Sequence, residues 1–274
     1  MHTLIEPWRH GFMQRALVEL VLVGVLAGVL GCWIVFYELS YSAESLAHSI
    51  FPGLVGAALL GLPLLVGAAG GLVLAAVAIA VAATIPVVGR DTAVAIVITS
   101  LFGLGVLMAL APASPPGIQS VLFGDPLAVT TGDLVTAAVL SAAALGTLAV
   151  LHGRLLAVGF DRGTARALGV RPFPVELALI ALIAVAILVS VQALGNLLVV
   201  AILIGPAATA RLVTRRLPAM MALAAAVAVA GSAGGLYLSY YGGLAAGASI
   251  AVVLVGAYAG AMLVTAIPRI RSRA

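Results

Sequence analysis

The chain is a succession of apolar runs of about twenty residues, divided by short polar joints. Nine such runs can be marked, at roughly 14–37, 43–61, 63–85, 92–110, 131–151, 173–193, 195–214, 218–240 and 244–266. A bilayer's hydrocarbon core takes about 20 apolar residues of helix to cross, so each run is a candidate span. With 64% hydrophobic and 8% charged residues, against about 25% charged in soluble domains, folding alone cannot hide this surface from water. The expected fold is all-α: an integral membrane protein, a polytopic helical bundle of about nine transmembrane spans forming one domain over residues 1–274. Gly24, Gly28 and Gly31 in the first run have the spacing that lets two helices approach closely.

Against that background one stretch stands out. Ser40 to Gly61, SYSAESLAHSIFPGLVGAALLG, is long enough to lie within a bilayer yet carries Glu44 and His48. Four residues turn a helix by about 400°, so both side chains share a face, one turn apart. Ionisable groups in a membrane cost several kcal/mol unless they meet a partner, a cavity or an ion. A carboxylate with an imidazole suits zinc, manganese or iron(II). Pro52 follows four residues after His48 and has no N–H for the His48 carbonyl. The plain alternative is a Glu at a helix start near head groups and a packed, satisfied histidine.

Several functions are excluded or set aside. All 13 cationic residues are arginine; a P-loop needs a Gly-Lys-Ser/Thr signature, so any ATP-driven work falls to another subunit. The one cysteine, Cys32, can form no intrachain disulfide or multi-thiolate metal site and reads as a small buried hydrophobe. The formal charge of +4 reflects arginines at the ends of apolar runs and points to membrane topology, not nucleic acid. No removable signal peptide is expected, and the residues up to about Gly11 are expected along the membrane surface. His2 and His10 read as incidental, and His152 as an interfacial residue.

Arginine sets the orientation. Arg154, Arg162, Arg166 and Arg171 lie in the loop 152–172; Arg211, Arg215 and Arg216 end the seventh run; Arg269, Arg271 and Arg273 end the chain. The positive-inside rule puts all three clusters, with Arg90, in the cytoplasm. The loop Ala111–Thr130 then falls outside, where Asp125 and Asp133 read as turn and cap residues. Counting back places the amino terminus outside, which conflicts with Arg9 and Arg15 unless they lie in an interfacial segment or an early span is re-entrant.

Two further stretches carry signal. Val158 to Pro172, VGFDRGTARALGVRP, predicts a short helix capped by Asp161 and stopped by Gly169, more than the 2–8 residues a helix connection needs. Gln192 to Arg211 opens with Gln192 and Asn196, expected to make interhelical hydrogen bonds worth about 1 kcal/mol. It then holds Gly205-Pro206 inside the run, expected to kink or break the helix.

Together these stretches resemble the membrane permease family of bacterial ABC importers for zinc, manganese and iron. Ser45–Leu54, SLAHSIFPGL, is similar to that family's SHAVLPG signature; Phe160-Asp161 and Ala165–Gly169 resemble its cytoplasmic loop; Leu197–Ala210, LLVVAILIGPAATA, resembles its LLVxALLxxPAATA stretch. The resemblance implies a dimeric permease with a second copy of itself in the bacterial inner membrane, cytoplasmic ATPase subunits and an extracytoplasmic metal-binding protein. It implies that Glu44 and His48 meet a transported divalent metal, with no permanently bound cofactor and no catalysis in this chain. Phe160, Asp161, Arg162, Ala165, Arg166 and Gly169 fall on the helix that couples to the ATPase. The family more often has Asp where this chain has Glu44, and basic residues where it has Phe36-Tyr37-Glu38-Leu39.

The alternative of the same cargo is a proton-coupled secondary metal transporter, which needs intramembrane carboxylates in more than one span; Glu44 is the one clearly placed. An intramembrane enzyme needs a constellation such as His-Glu-x-x-His, which four histidines, one of them intramembrane, do not supply.

Overall fold

The computed structural model describes residues 6–82, 90–111, 124, 126–196 and 198–271. Among the described residues, ten α-helices follow a 3₁₀ turn at Pro7–Arg9: α1 (Gly11–Phe36), α2 (Ser40–Leu60), α3 (Leu64–Ala82), α4 (Arg90–Ala109), α5 (Thr131–Phe160), α6 (Arg162–Ala167), α7 (Pro172–Leu194), α8 (Val199–Val213), α9 (Leu217–Gly242) and α10 (Ala246–Arg271). Each of the nine expected runs coincides with a helix. Among the described residues, α1, α2, α5, α7, α9 and α10 are long and apolar enough to cross a membrane, while Val66–Ala78, Val94–Ala109 and Val199–Val213 are shorter apolar stretches.

α1 is the hub. It packs along α9 and touches α8, α5 and α7, and the largest core cluster runs along it from Met13 to Ile34. Its glycines make this possible. A Cβ on Gly28 would sit 2.6 Å from the backbone of Ala225, and one on Gly31 only 2.0 Å from the Leu203 carbonyl oxygen. Gly24 has ordinary contact distances, 3.4 Å from Ala228, so two of the three expected small positions are required by backbone approach. Cys32 is fully buried and its thiol donates to the Gly28 carbonyl.

α2, α3 and α4 form a second group, joined by close packing of Gly53 on Gly67. α2 alone reaches across to α7 and α8, so it lies where the two groups meet.

Helix directions follow from contacts. Trp33 and Phe36 at the end of α1 pack edge-on against His152 and Phe160 at the end of α5. α1 and α5 therefore run the same way, and the amino-terminal end of the chain lies at the end of the bundle where α5 begins. There Thr130 and Asp133 form a reciprocal capping box, and Trp8 donates to the Tyr237 hydroxyl of α9. The residues before Gly11 that are described thus pack on the bundle. His2 and Asp125 lie outside the described residues.

Of the kink or break expected at Gly205-Pro206, the break does not occur. α8 continues unbroken through Gly205-Pro206. The chain breaks ten residues earlier, at Gly195 (φ 72°), where α7 ends. Gly195 ends α7 in a conformation open to glycine, whereas Pro206 removes one N–H in a helix whose neighbours, α1 among them, hold it on several sides.

Glu38 acquires a role. The Leu39 N–H reaches the Ile34 carbonyl and the Glu38 N–H the Val35 carbonyl, the paired bonds of a Schellman end. Glu38 itself takes the left-handed position, φ 58°, usually filled by glycine. Thermal unfolding in detergent checks both features. Glu38→Gly is expected to be near neutral and Glu38→Val to destabilise, by about 1–2 kcal/mol. Gly31→Val is expected to cost about 1–3 kcal/mol or more, because a backbone oxygen cannot move aside.

Candidate functional site

α2 forms across the Glu44–His48 pair despite its serines and Pro52, and it ends in a left-handed glycine, Gly61. The helix places His48 Nε2 4.0 Å from Glu44 Oε1, as the four-residue spacing predicts. That is too long for a hydrogen bond. It is close to the gap a bridging cation needs: a tetrahedral metal about 2.1 Å from each ligand holds them about 3.4 Å apart. The His48 side chain is 23% exposed and that of Glu44 52%. The imidazole lies against Phe102 of α4, ring centroids 4.8 Å apart, and Phe102 in turn meets Phe51.

His48 is not the satisfied histidine of the plain alternative. Its Nδ1 is buried with no hydrogen-bond partner among the described residues. A buried polar atom in that condition costs about 1–3 kcal/mol. Among the described residues no three of His, Cys, Asp and Glu gather at one place, so one copy of the chain presents two candidate ligands.

At the carboxyl-terminal end of α1, where Phe36 meets Phe160, α6 is built as the sequence indicates. The Asp161 carboxylate accepts from the N–H groups of Gly163 and Thr164 and from the Thr164 hydroxyl. The Gly169 N–H bonds the Arg166 carbonyl and the Val170 N–H the Ala165 carbonyl, with Gly169 at φ 77°. Ala165 is fully buried and seats the helix on the bundle; Asp161, Arg162, Arg166 and Gly169 are exposed. Arg162 pairs with Glu176 of α7 at 2.7 Å. Phe160 stacks edge-on against Phe36 yet is 77% exposed, and Leu168 and Phe173, just after α6 and at the start of α7, are exposed too. Large apolar side chains bared in a segment rich in charge are features of a surface suited to another protein.

Sequence reasoning missed one residue and misjudged another. Glu19, near the middle of α1, is fully buried, and neither carboxylate oxygen has a partner among the described residues. It lies about 40° from the face of Trp33 and so is turned toward α5, where the Ser141 hydroxyl is also unpartnered. Glu44 is therefore not the one well-placed intramembrane carboxylate. Asn196, expected to hydrogen-bond between helices, is fully buried with both carboxamide atoms unpartnered among the described residues; the side chain of Gln192 lies outside them.

The helices and their composition define a multi-pass membrane protein of the bacterial cell membrane, and comparison with known proteins places it further. Residues 9–265 match the ABC 3 transport family, and the chain belongs to that family. A manganese transport system membrane protein of Listeria innocua is 31% identical over 245 residues, 89% of this chain and 88% of its own length. A chelated iron transport system membrane protein of Yersinia pestis is 28% identical over 241 residues, covering 88% and 82%. A chain of the solved structure of PsaBC from Streptococcus pneumoniae in complex with Fab shares the fold with a TM-score of 0.86 at 30% identity, over 93% of this chain and 92% of that one.

Two measurements follow from these geometries. If the Glu19 carboxyl is held by nothing, Glu19→Leu raises thermal stability, by about 1–3 kcal/mol; a fall of that size shows that water or an ion satisfies it. The Asp161 carboxyl is held below its ordinary value of 3.8 by the Thr164 hydroxyl first and then by the N–H groups of Thr164 and Gly163. Its contribution to the α6 start is therefore complete above pH 3.8 and is lost as pH falls through the lower folded value. Hydrogen exchange at Thr164 is expected to stay slow down to that value.

Proposed function

We propose that this chain is the membrane-spanning subunit of an ATP-driven importer of divalent transition-metal ions, with ATP hydrolysed by a separate subunit. The observation that carries the reading is the pair Glu44 and His48, one turn apart on a helix between two helix groups, with an imidazole nitrogen left unpartnered. Membership of the ABC 3 transport family supports it. The names of the relatives favour manganese or iron as the cargo; the ligand chemistry admits zinc as well.

The working unit is a pair of copies, each a single domain of nine spans, so that two Glu44 and two His48 face the ion near a shared axis. Four ligands from two chains bind an ion transiently, because they separate when the copies move. A transport site has to release what it binds. An extracytoplasmic metal-binding protein delivers the ion. The surface of Phe160, Asp161, Arg162, Arg166 and Gly169, seated by Ala165, receives the cytoplasmic ATPase and passes its closure into α5 and α7, which flank it.

A second reading, a proton-coupled carrier, gains from one observation: Glu19 is a second buried carboxylate in another helix. ATP dependence separates the two. The chain is to be reconstituted with its ATPase and binding protein, and uptake of manganese, iron(II) and zinc measured separately. ATP-dependent uptake of one ion, reduced about tenfold or more in His48→Ala and Glu44→Ala, is the expected result. Uptake at the normal rate in both variants would sink the site, and uptake without any ATPase would establish the carrier. Gly169→Val, which forces a β-branched residue to positive φ at a cost of about 1–2 kcal/mol, is expected to uncouple ATP hydrolysis from uptake while metal binding persists.

A further inference from the structure

Beside α6, on the flank away from the Arg162–Glu176 pair, the bundle holds a cavity of about 600 Å³ between α5, the Gly169–Val170 turn and the start of α7. Arg154 and Arg171 line it. Both are exposed, and neither has an ion pair or hydrogen bond among the described residues. The remaining wall is apolar: Leu151, Leu168, Pro174 and Val175.

The position of this cavity in the membrane says what it takes. α5 has 30 residues, so it is about 45 Å long and overruns a hydrocarbon core of about 30 Å. Arg154 lies in its penultimate turn, in the part of the helix that exceeds the length of the hydrocarbon core. One turn earlier and about 40° around stands Val150, 82% exposed, with exposed Val139 about 20° further round and about 16 Å higher. Exposed valines thus stand above a guanidinium on α5, with a second guanidinium across the cavity. Arginine matches phosphate oxygens bidentately, and basic pockets between helices on the cytoplasmic side are suited to lipid head groups.

We propose that this cavity binds the phosphate head group of an anionic phospholipid, with Arg154 and Arg171 on the phosphate and an acyl chain along Val150 toward Val139. The lipid then abuts Leu168 and Gly169, the end of α6, so the coupling surface rests on one side against lipid. This stands apart from the metal reading and does not depend on the cargo.

Native mass spectrometry of the full chain, carried in mild detergent with phosphatidylglycerol or phosphatidylethanolamine added, tests it. The wild type is expected to retain phosphatidylglycerol preferentially. Arg154→Gln or Arg171→Gln is expected to weaken retention about fivefold each, and the double variant about 30-fold, which is about 1 kcal/mol for each arginine. Arg215→Gln, an equal loss of charge at the same end of the bundle but outside the cavity, is the control and leaves retention unchanged. Replacement of both arginines by lysine restores part of it and shows that the double variant is folded.

Equal retention in the double variant and the wild type overturns the proposal. So does equal loss in Arg215→Gln, which would make the effect general surface charge. Displacement of the lipid by millimolar glycerol phosphate would show an anion site with no use for the acyl chain. Loss of co-purifying ATPase in the double variant without loss of lipid would assign the arginines to that partner instead.

Discussion

The close approach of α1 to α8 and α9 is the contact on which the remainder of the bundle is assembled. Helices in lipid gain nothing from hiding apolar side chains from one another, since the tails outside are as apolar as leucine. What holds them is dispersion across well-fitted surfaces, and that demands near-contact of backbones. Gly28 against Ala225 and Gly31 against the Leu203 carbonyl supply it. With α1 so fixed, its carboxyl-terminal end presents Trp33, Phe36 and Tyr37 to α5, where the Tyr37 hydroxyl donates to the Leu155 carbonyl. The same end carries the Glu38 turn into α2. The position of α2 and the seating of α6 thus both descend from one glycine-lined helix.

α2 belongs to a less tightly joined part of the molecule. It packs mainly on α3 and α4 and reaches α7 and α8 by a narrower contact. Glu44 and His48 therefore stand on a helix at the border between two packed groups. Such a border suits residues that must approach an ion in one state and leave it in another. The 4.0 Å gap between their ligand atoms and the unpartnered Nδ1 fit a site that is incomplete in a single copy.

Much of this was legible in the sequence, and the reason is the same in each case: the signal was local. The i, i+4 pair on α2, the Asp161 cap and the Gly169 stop depend on residues a few positions apart, and the geometry of one helix or turn settles them. The Thr130–Asp133 box and the burial of Cys32 belong with these. What was not legible depends on the neighbours. Pro206 in an isolated helix is a breaker, yet in α8 the surrounding helices keep the helix whole. Asn196 looked like an interhelical donor, and its sequence gives no hint that its carboxamide is left without a partner among the described residues. Glu19 gave no local sign at all, since a lone acid in an apolar run has no spacing to read. Glu38 was unexplained until the backbone showed the left-handed end of α1.

Those unpartnered groups are not scattered at random through the fold. Glu19 and Ser141 belong to α1 and α5, and Asn196 to the joint between α7 and α8, all within the hub group; His48 is on the neighbouring one. A membrane protein that left such atoms unsatisfied in every state would lose about 1–3 kcal/mol at each, against a total stability of about 5–15 kcal/mol. The loss is tolerable when the atoms find partners in some other arrangement of the helices, or in water and ions admitted to the interior. For His48 that partner is the cargo, by the reading proposed above. Glu19 stands in α1, which packs on α5, and a carboxylate there can be satisfied by a proton as well as by a hydrogen-bond donor, without a change of backbone.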